Sequence, residues 1–105
     1  MTFQSSDFNV CILGGINIDF FSVVKDMPVA GETIVGSNFF VTPGGKGANQ
    51  AVACSRLGLN TTMIGRVGND DFANNLIENF KNENISVEGI FKDNSTYTGV
   101  ANIIL

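Results

Sequence analysis

An α/β fold is predicted for this 105-residue chain, on three observations. Apolar runs of strand length alternate with segments of helical periodicity. The strongest turn signal, Pro43-Gly44-Gly45, falls between a strand-like run and a helical one. The stretch between Asn17 and Val41 carries no helical pattern, so a small antiparallel β element is expected beside the main sheet.

Each element has a local cause. Phe8 to Leu13 is a short apolar run closed by Gly14-Gly15, which reads as a buried strand ending in a turn. Asp19 to Val24 continues as a second extended segment, broken at Lys25-Asp26-Met27-Pro28 and again at Ala30-Gly31-Glu32. Thr33 to Thr42 is β-branched and aromatic and reads as a third strand, bulged at Gly36. After the turn, Ala48, Ala51, Val52, Ser55 and Leu59 recur at helical spacing, and Gly58 stands where a helix stop belongs. Thr61 to Val67 is again strand-like. Asn69-Asp70 offers a cap and early negative charge to a second helix, whose Phe72, Leu76, Ile77 and Phe80 share one face. Lys81 to Asn84 ends that helix. Val87 to Phe91 is the next strand, Asp93-Asn94-Ser95 a turn, and Tyr97 to Leu105 the last strand.

Composition removes several classes of function. Hydrophobic residues at 44% are too many for a disordered chain. No apolar run approaches a membrane span, and the polar start from Met1 to Asp7 is not a secretion signal. The asparagine sequons at Asn60 and Asn94 are therefore read as without meaning. The 6 basic residues are scattered and the net charge is -4, which argues against nucleic acid as a partner. The absence of His excludes His-based acid–base catalysis and most zinc sites. Cys11 and Cys54 lie far apart within apolar patterns and are expected as buried free thiols.

The glycine turn is the place to look for chemistry. Glycine lets a ligand approach the backbone, and the helix start beyond it leaves N–H groups free to donate. It is not a P-loop, because Phe40 holds the first glycine position and Gly47 follows Lys46. It is not a dinucleotide fingerprint either, because Gln50 stands where the last glycine should be. What remains is Lys46 and Asn49 near the helix start, with Asn17 and Asp19 just beyond the first strand. Strand carboxyl ends collect ligands in open α/β sheets, and this set of groups suits a polyol such as a sugar. Each residue also has a plainer alternative. Asp19 can be a turn or cap residue, Asn17 can stabilise the turn after Gly15, and Lys46 can be a solvated lysine, although a cation there opposes the helix dipole.

These residues resemble the ribokinase family, the PfkB carbohydrate kinases. Gly44, Gly45, Gly47, Asn49, Ala51, Gly58 and Gly68 carry the likeness at their spacings. Gly14-Gly15-Ile16-Asn17-Ile18-Asp19, Pro28-Val29-Ala30-Gly31-Glu32-Thr33 and Thr98-Gly99-Val100-Ala101 support it, and it runs from Val10 to Leu105. The resemblance implies the N-terminal part of a Rossmann-like ribokinase fold. Residues 1–105 would be a single partial domain, with segments at about 17–41 and 97–105 forming a small β-sheet lid. It implies that Asn17 and Asp19 bind sugar hydroxyls and that Gly45, Lys46 and Asn49 complete the grip. Ile18, Gly47 and Ala48 would line the same stretches.

Further expectations come from the same resemblance. ATP is the phosphoryl donor, with Mg²⁺ and a monovalent cation such as K⁺, and two copies pair through the lid in the cytoplasm. Within the family the run at 44–50 looks most like the members that phosphorylate ribose to ribose 5-phosphate. The family's catalytic Asp lies in a Gly-x-Gly-Asp motif that this chain lacks. Leu105 also closes an apolar strand without a turn, cap or polar tail. The chain therefore reads as a fragment, inactive alone, with catalytic base, ATP pocket and cation loop in a C-terminal part. The alternative is a non-catalytic sugar-binding or subunit-pairing product of a truncated gene.

Overall fold

The computed structural model describes residues 8–105, and the polar start at Met1–Asp7 lies outside them. Within that span the β-branched and aromatic runs form β1 (Asn9–Leu13), β2 (Asn17–Val23), β3 (Asn38–Gly44), β4 (Asn60–Gly68), β5 (Ser86–Asp93) and β6 (Gly99–Ile104). The amphipathic runs form α1 (Lys46–Arg56) and α2 (Asp71–Asn82). The α/β class is as predicted.

Both helices stop for the same reason. At the end of α1 the N–H groups of Gly58 and Leu59 return to the carbonyls of Ser55 and Cys54. At the end of α2 those of Asn84 and Ile85 return to Lys81 and Phe80. Each closure needs one residue in the left-handed region, supplied by Gly58 at φ 92° and Asn84 at φ 60°. Glycine and asparagine take that conformation at least cost. The two ends are joined by Arg56, whose guanidinium donates to both carboxylate oxygens of Glu83.

Strands β1, β4 and β5 run parallel in the order β1-β4-β5, with α1 and α2 as the crossovers between neighbours. Crossovers of one hand, advancing in one direction, place both helices on one face. That face holds the core: Met63 and Val67 of β4 pack with Ala48 and Ala51 of α1, and with Ala73, Leu76 and Phe80 of α2. The opposite face is open, with Leu13 80% and Phe91 60% exposed.

A second sheet, ordered β3-β2-β6, stands at the carboxyl edge of the first. It is mixed, not purely antiparallel as expected: β2 pairs antiparallel with β3 and parallel with β6. The cause is topological. β1 and β5 point the same way, so β2 and β6, which follow them, leave the same edge in the same direction.

Other expectations need correction. The third strand begins at Asn38, not Thr33, and continues through Pro43 and Gly44. Gly36 precedes the strand and is no bulge, and the chain joins β2 through a bond from Ser37 N–H to Val23 O at 2.8 Å. Pro43 is tolerated because β3 is an edge strand. The last strand starts at Gly99, two residues after Tyr97. Cys11 is exposed and Cys54 half-buried. Alternate residues of a strand face opposite ways, and Cys11 shares the open side with Leu13. Phe72 is 38% exposed, and it packs edge-on against Phe20 of β2 with ring centroids 5.5 Å apart. No helix among the described residues is long and apolar enough to cross a membrane.

The one-sided core is testable by substitution. Leu76→Ala is expected to cost about 2–5 kcal/mol in urea unfolding. Cys11→Ser, on the open face, is expected to change stability by less than about 0.5 kcal/mol. The reverse order would place the core on the other face.

Candidate functional site

The carboxyl edge of the parallel sheet is built on a crossing of glycines. Gly14-Gly15 leaves β1, and Gly45–Gly47 passes against it into α1. A Cβ on Gly47 would lie 2.8 Å from the Cα and carbonyl carbon of Gly14, and one on Gly45 would lie 2.5 Å from Gly15 O. These are backbone atoms and cannot yield. Gly45 also sits at φ 100°, ψ 136°, a conformation that residues with side chains rarely adopt. A bond from Ala48 N–H to Gly15 O at 3.1 Å pins the crossing. Helix α1 opens with no side-chain cap and no acidic residue in its first turn. The N–H groups of Lys46 and Gly47 have no acceptor within the helix, as at any helix start.

The second sheet grows from this crossing. Asn17 of β2 lies opposite Gly44 of β3, and Asp19 opposite Thr42. Residues two apart on a strand share a face, so Asn17 and Asp19 point the same way. The Asp19 carboxylate lies over Gly44, where a Cβ would overlap it. On the other side Asn17 is level with Gly99 of β6, and a Cβ there would lie 2.5 Å from Asn17 Oδ1. Each polar side chain thus fills the space that a glycine on a neighbouring strand leaves. Further along the same face Phe21 and Phe40 stack with centroids 4.7 Å apart. The face is polar at its root and aromatic towards its tip.

The residues singled out from sequence divide in two. Asn17, Asp19 and Gly45 are brought together. Ile18 and Ala48 are 5% and 4% exposed and belong to the core, with Ile18 on the opposite face of β2. What they offer is backbone, and the N–H of Ala48 is already bonded. Gly47 is buried in the crossing. Lys46 and Asn49 are exposed on α1, and Asn49 lines a groove with Pro43, Val52, Arg56, Asn79 and Glu83. Neither side chain is hydrogen-bonded to Asn17 or Asp19 among the described residues. Among those residues no group of three or more His, Cys, Asp or Glu side chains gathers into a metal site.

Sequence alone presented Asp70 as a helix cap, and it is one, accepting from Ala73 N–H at 2.8 Å. It also accepts from Thr98 twice, from the backbone N–H at 3.0 Å and from the hydroxyl at 2.7 Å. The Thr98 hydroxyl oxygen in turn accepts from Gly68 N–H at 3.0 Å. These contacts hold the Asp70 carboxyl below the usual carboxylate range. The Thr98 backbone N–H contributes most and its hydroxyl next, against the opposing effect of burial.

Residues 7–105 match the pfkB family of carbohydrate kinases. The chain is 38% identical over 97 residues to the ribokinase of Bacillus subtilis (strain 168), covering 92% of this chain and 33% of that protein. It is 43% identical over 96 residues to the ribokinase of Mus musculus, covering 91% of this chain and 30% of the other. It is similar in structure to the ribokinase of Arabidopsis thaliana complexed with ribose and ATP. There the TM-score is 0.85 at 28% identity, over 93% of this chain and 32% of that one. The chain spans about a third of the length of the curated relatives it matches.

Acidification reports on the Asp70 contacts. A carboxyl lowered in the folded state stabilises the fold above its unfolded value, here 3.8. That contribution is lost as the pH falls through the lowered folded value. In urea unfolding from about pH 6 to about pH 2, Asp70→Asn is expected to lose less stability than the wild type. Equal losses would show that Asp70 does not titrate with folding.

Proposed function

The chain belongs to the pfkB family of carbohydrate kinases, and on that footing we propose that it forms the acceptor-binding part of an ATP-dependent sugar kinase whose acceptor is ribose. One observation carries the reading. Asn17 and Asp19 share a face of β2 at the carboxyl edge of the parallel sheet, each seated over a glycine, beside the uncapped start of α1. A carboxylate accepts from two hydroxyls, and an amide both donates and accepts. The pair can therefore grip neighbouring hydroxyls of one sugar. On this reading Gly45, Lys46 and Asn49 complete the grip from the helix start, and Ile18, Gly47 and Ala48 supply the backbone that holds it. The similarity to ribokinases supports ribose over other sugars.

The proposed reaction moves the terminal phosphoryl group of ATP to the terminal hydroxyl of the sugar. This chain's share is to hold that hydroxyl in place, and such transfers depend on positioning more than on covalent chemistry by the protein. The described residues do not fit the donor side. They hold no P-loop and no metal-ligating cluster. The reading therefore assigns ATP, Mg²⁺, a monovalent cation such as K⁺ and the catalytic carboxylate to another part of the protein. The 105-residue chain alone then binds sugar without phosphorylating it. A cytoplasmic location goes with the use of ATP.

The second sheet, within segments 17–41 and 97–105 and the remainder of β3, is the proposed lid. Its face away from Asn17 exposes Phe39 at 60%, Val41 at 43%, Val100 at 45% and Ile104 at 49%. These four share that face by strand register. Several large apolar side chains exposed on one sheet face suit an interaction surface, and the proposed partner is a second copy of the protein.

In the complete protein, Asp19→Ala is expected to raise the KM for ribose about 5- to 150-fold, as when one buried hydrogen-bond partner is lost. The KM for ATP should not move. Unchanged ribose KM would sink the assignment of Asp19. For the lid, Phe39→Glu is expected to convert a dimer to a monomer in sedimentation velocity, and a dimer that persists would move the interface off this face.

A further inference from the structure

We propose that Asp70 and Thr98 form a latch that positions Asn17 for the sugar, an inference that rests on the acceptor-site reading. A helix cap needs one carboxylate oxygen for one N–H of the first turn. Asp70 does this through Oδ1 to Ala73 and still directs both oxygens at Thr98, a residue 28 positions away. Thr98 commits both its N–H and its hydroxyl at that point: the N–H and O–H donate to Asp70, and the hydroxyl oxygen accepts from Gly68. It is 3% exposed, so a lost bond leaves a buried polar group unpaired. The fit has no slack. A Cβ on Gly68 would overlap Thr98 N and lie 2.7 Å from Asp70 Oδ2 and from the carbonyl carbon of Tyr97. The end of β4, the start of α2 and the residue before β6 are therefore one hydrogen-bonded unit.

What this unit holds is the root of β6. Gly99 follows Thr98 directly, is level with Asn17 in the parallel ladder, and lies under the Asn17 amide oxygen. On its other side Asn17 is bounded by the glycine crossing, where a Cβ on Gly45 would be 3.1 Å from Asn17 N. The crossing is joined to β2 by a few residues of chain. β6 follows β5 after residues 94–98, a turn whose Asn94 accepts from the Asn69 amide at 2.8 Å, well before Gly99. The latch acts next to Gly99 and fixes it, and through it the amide of Asn17, to the end of the main sheet. The aromatic contact of Phe72 with Phe20 links α2 to the other face of β2, but an edge-on ring contact sets no hydrogen-bond register. Asp70 and Thr98 act through Asn17 and touch no sugar, so they are positioning residues.

Three variants of the complete enzyme test this. Asp70→Asn keeps a helix cap of comparable strength and removes one of the two acceptors. Thr98→Val keeps the shape and removes the hydroxyl, and Thr98→Ser restores it. The KM for ribose is expected to rise roughly tenfold in Asp70→Asn and Thr98→Val, with the KM for ATP unchanged. Thr98→Ser should return to within about twofold of the wild type. Independently of turnover, the amides of β2 and β6 should exchange hydrogen faster in Thr98→Val while β1, β4 and β5 keep their protection. Ribose KM unchanged in both variants, with lowered thermal stability, would make the pair merely structural and overturn the proposal. Protection lost evenly across both sheets would do the same. Asp19→Ala run alongside separates the two ideas. Unchanged ribose KM there overturns the acceptor-site reading, whereas a raised KM there with normal Asp70 and Thr98 variants overturns the latch alone.

Discussion

Two stretches of backbone touching with no side chain between them, Gly14-Gly15 and Gly45–Gly47, are the constraint on which the rest of the structure depends. Their approach sets where α1 leaves the sheet and how closely Ala48 and Ala51 can lie on it. It also sets the register of the second sheet, because β2 begins and β3 ends within a few residues of the contact, with Asn17 opposite Gly44. A slip of one residue in that pairing would turn Asn17 and Asp19 to the opposite face and bring Ile18 out of the core. Glycine carries an entropic penalty in folding, and here it is the condition for any site at all.

The two sheets divide the labour that follows. The parallel sheet buries one face under two helices and gains its stability there, around Met63, Leu76 and Phe80. The mixed sheet buries little beyond its root. Ile18 is enclosed, whereas Phe39 and Ile104 near the tip are largely exposed. Polar groups sit at the root, where the glycine crossing and the Thr98 contacts hold the backbone. Aromatic groups sit towards the tip, where packing alone suffices. This gradient suits the proposed polyol site, since hydrogen bonds depend on geometry more sharply than apolar contacts do.

The elements legible in the sequence were those with a chemical cause close by in the chain. Gly58 and Asp70 mark helix ends through the dihedral and the oxygen each provides, and the apolar periods of α1 and β4 follow from burial on one side. The start of β3 was not legible. Thr33 to Val35 has strand composition, but β2 ends at Val23, whose partner is Asn38, so beyond Asn38 there is no strand to pair with. The ladder decides, and propensity does not. Nor could a lone apolar run reveal that β1 is covered on one face, which is why Cys11 is exposed. In the candidate site, Asn17, Asp19 and Gly45 were singled out by their spacing around two glycine pairs, and the fold brings these three close together. Phe21 and Phe40 were not singled out, although the period of two places them on the same face. The contact of Asp70 with Thr98 spans 28 residues, and no local pattern announces it.

The central claim is that the polar root of β2 receives the sugar. The most direct measurement is a crystal structure of the complete protein soaked with ribose. The expected result is a sugar whose hydroxyls lie about 2.6–3.2 Å from the Asn17 amide and the Asp19 carboxylate, over Gly44 and Gly99. Ribose bound elsewhere, with both side chains left in water, would contradict it.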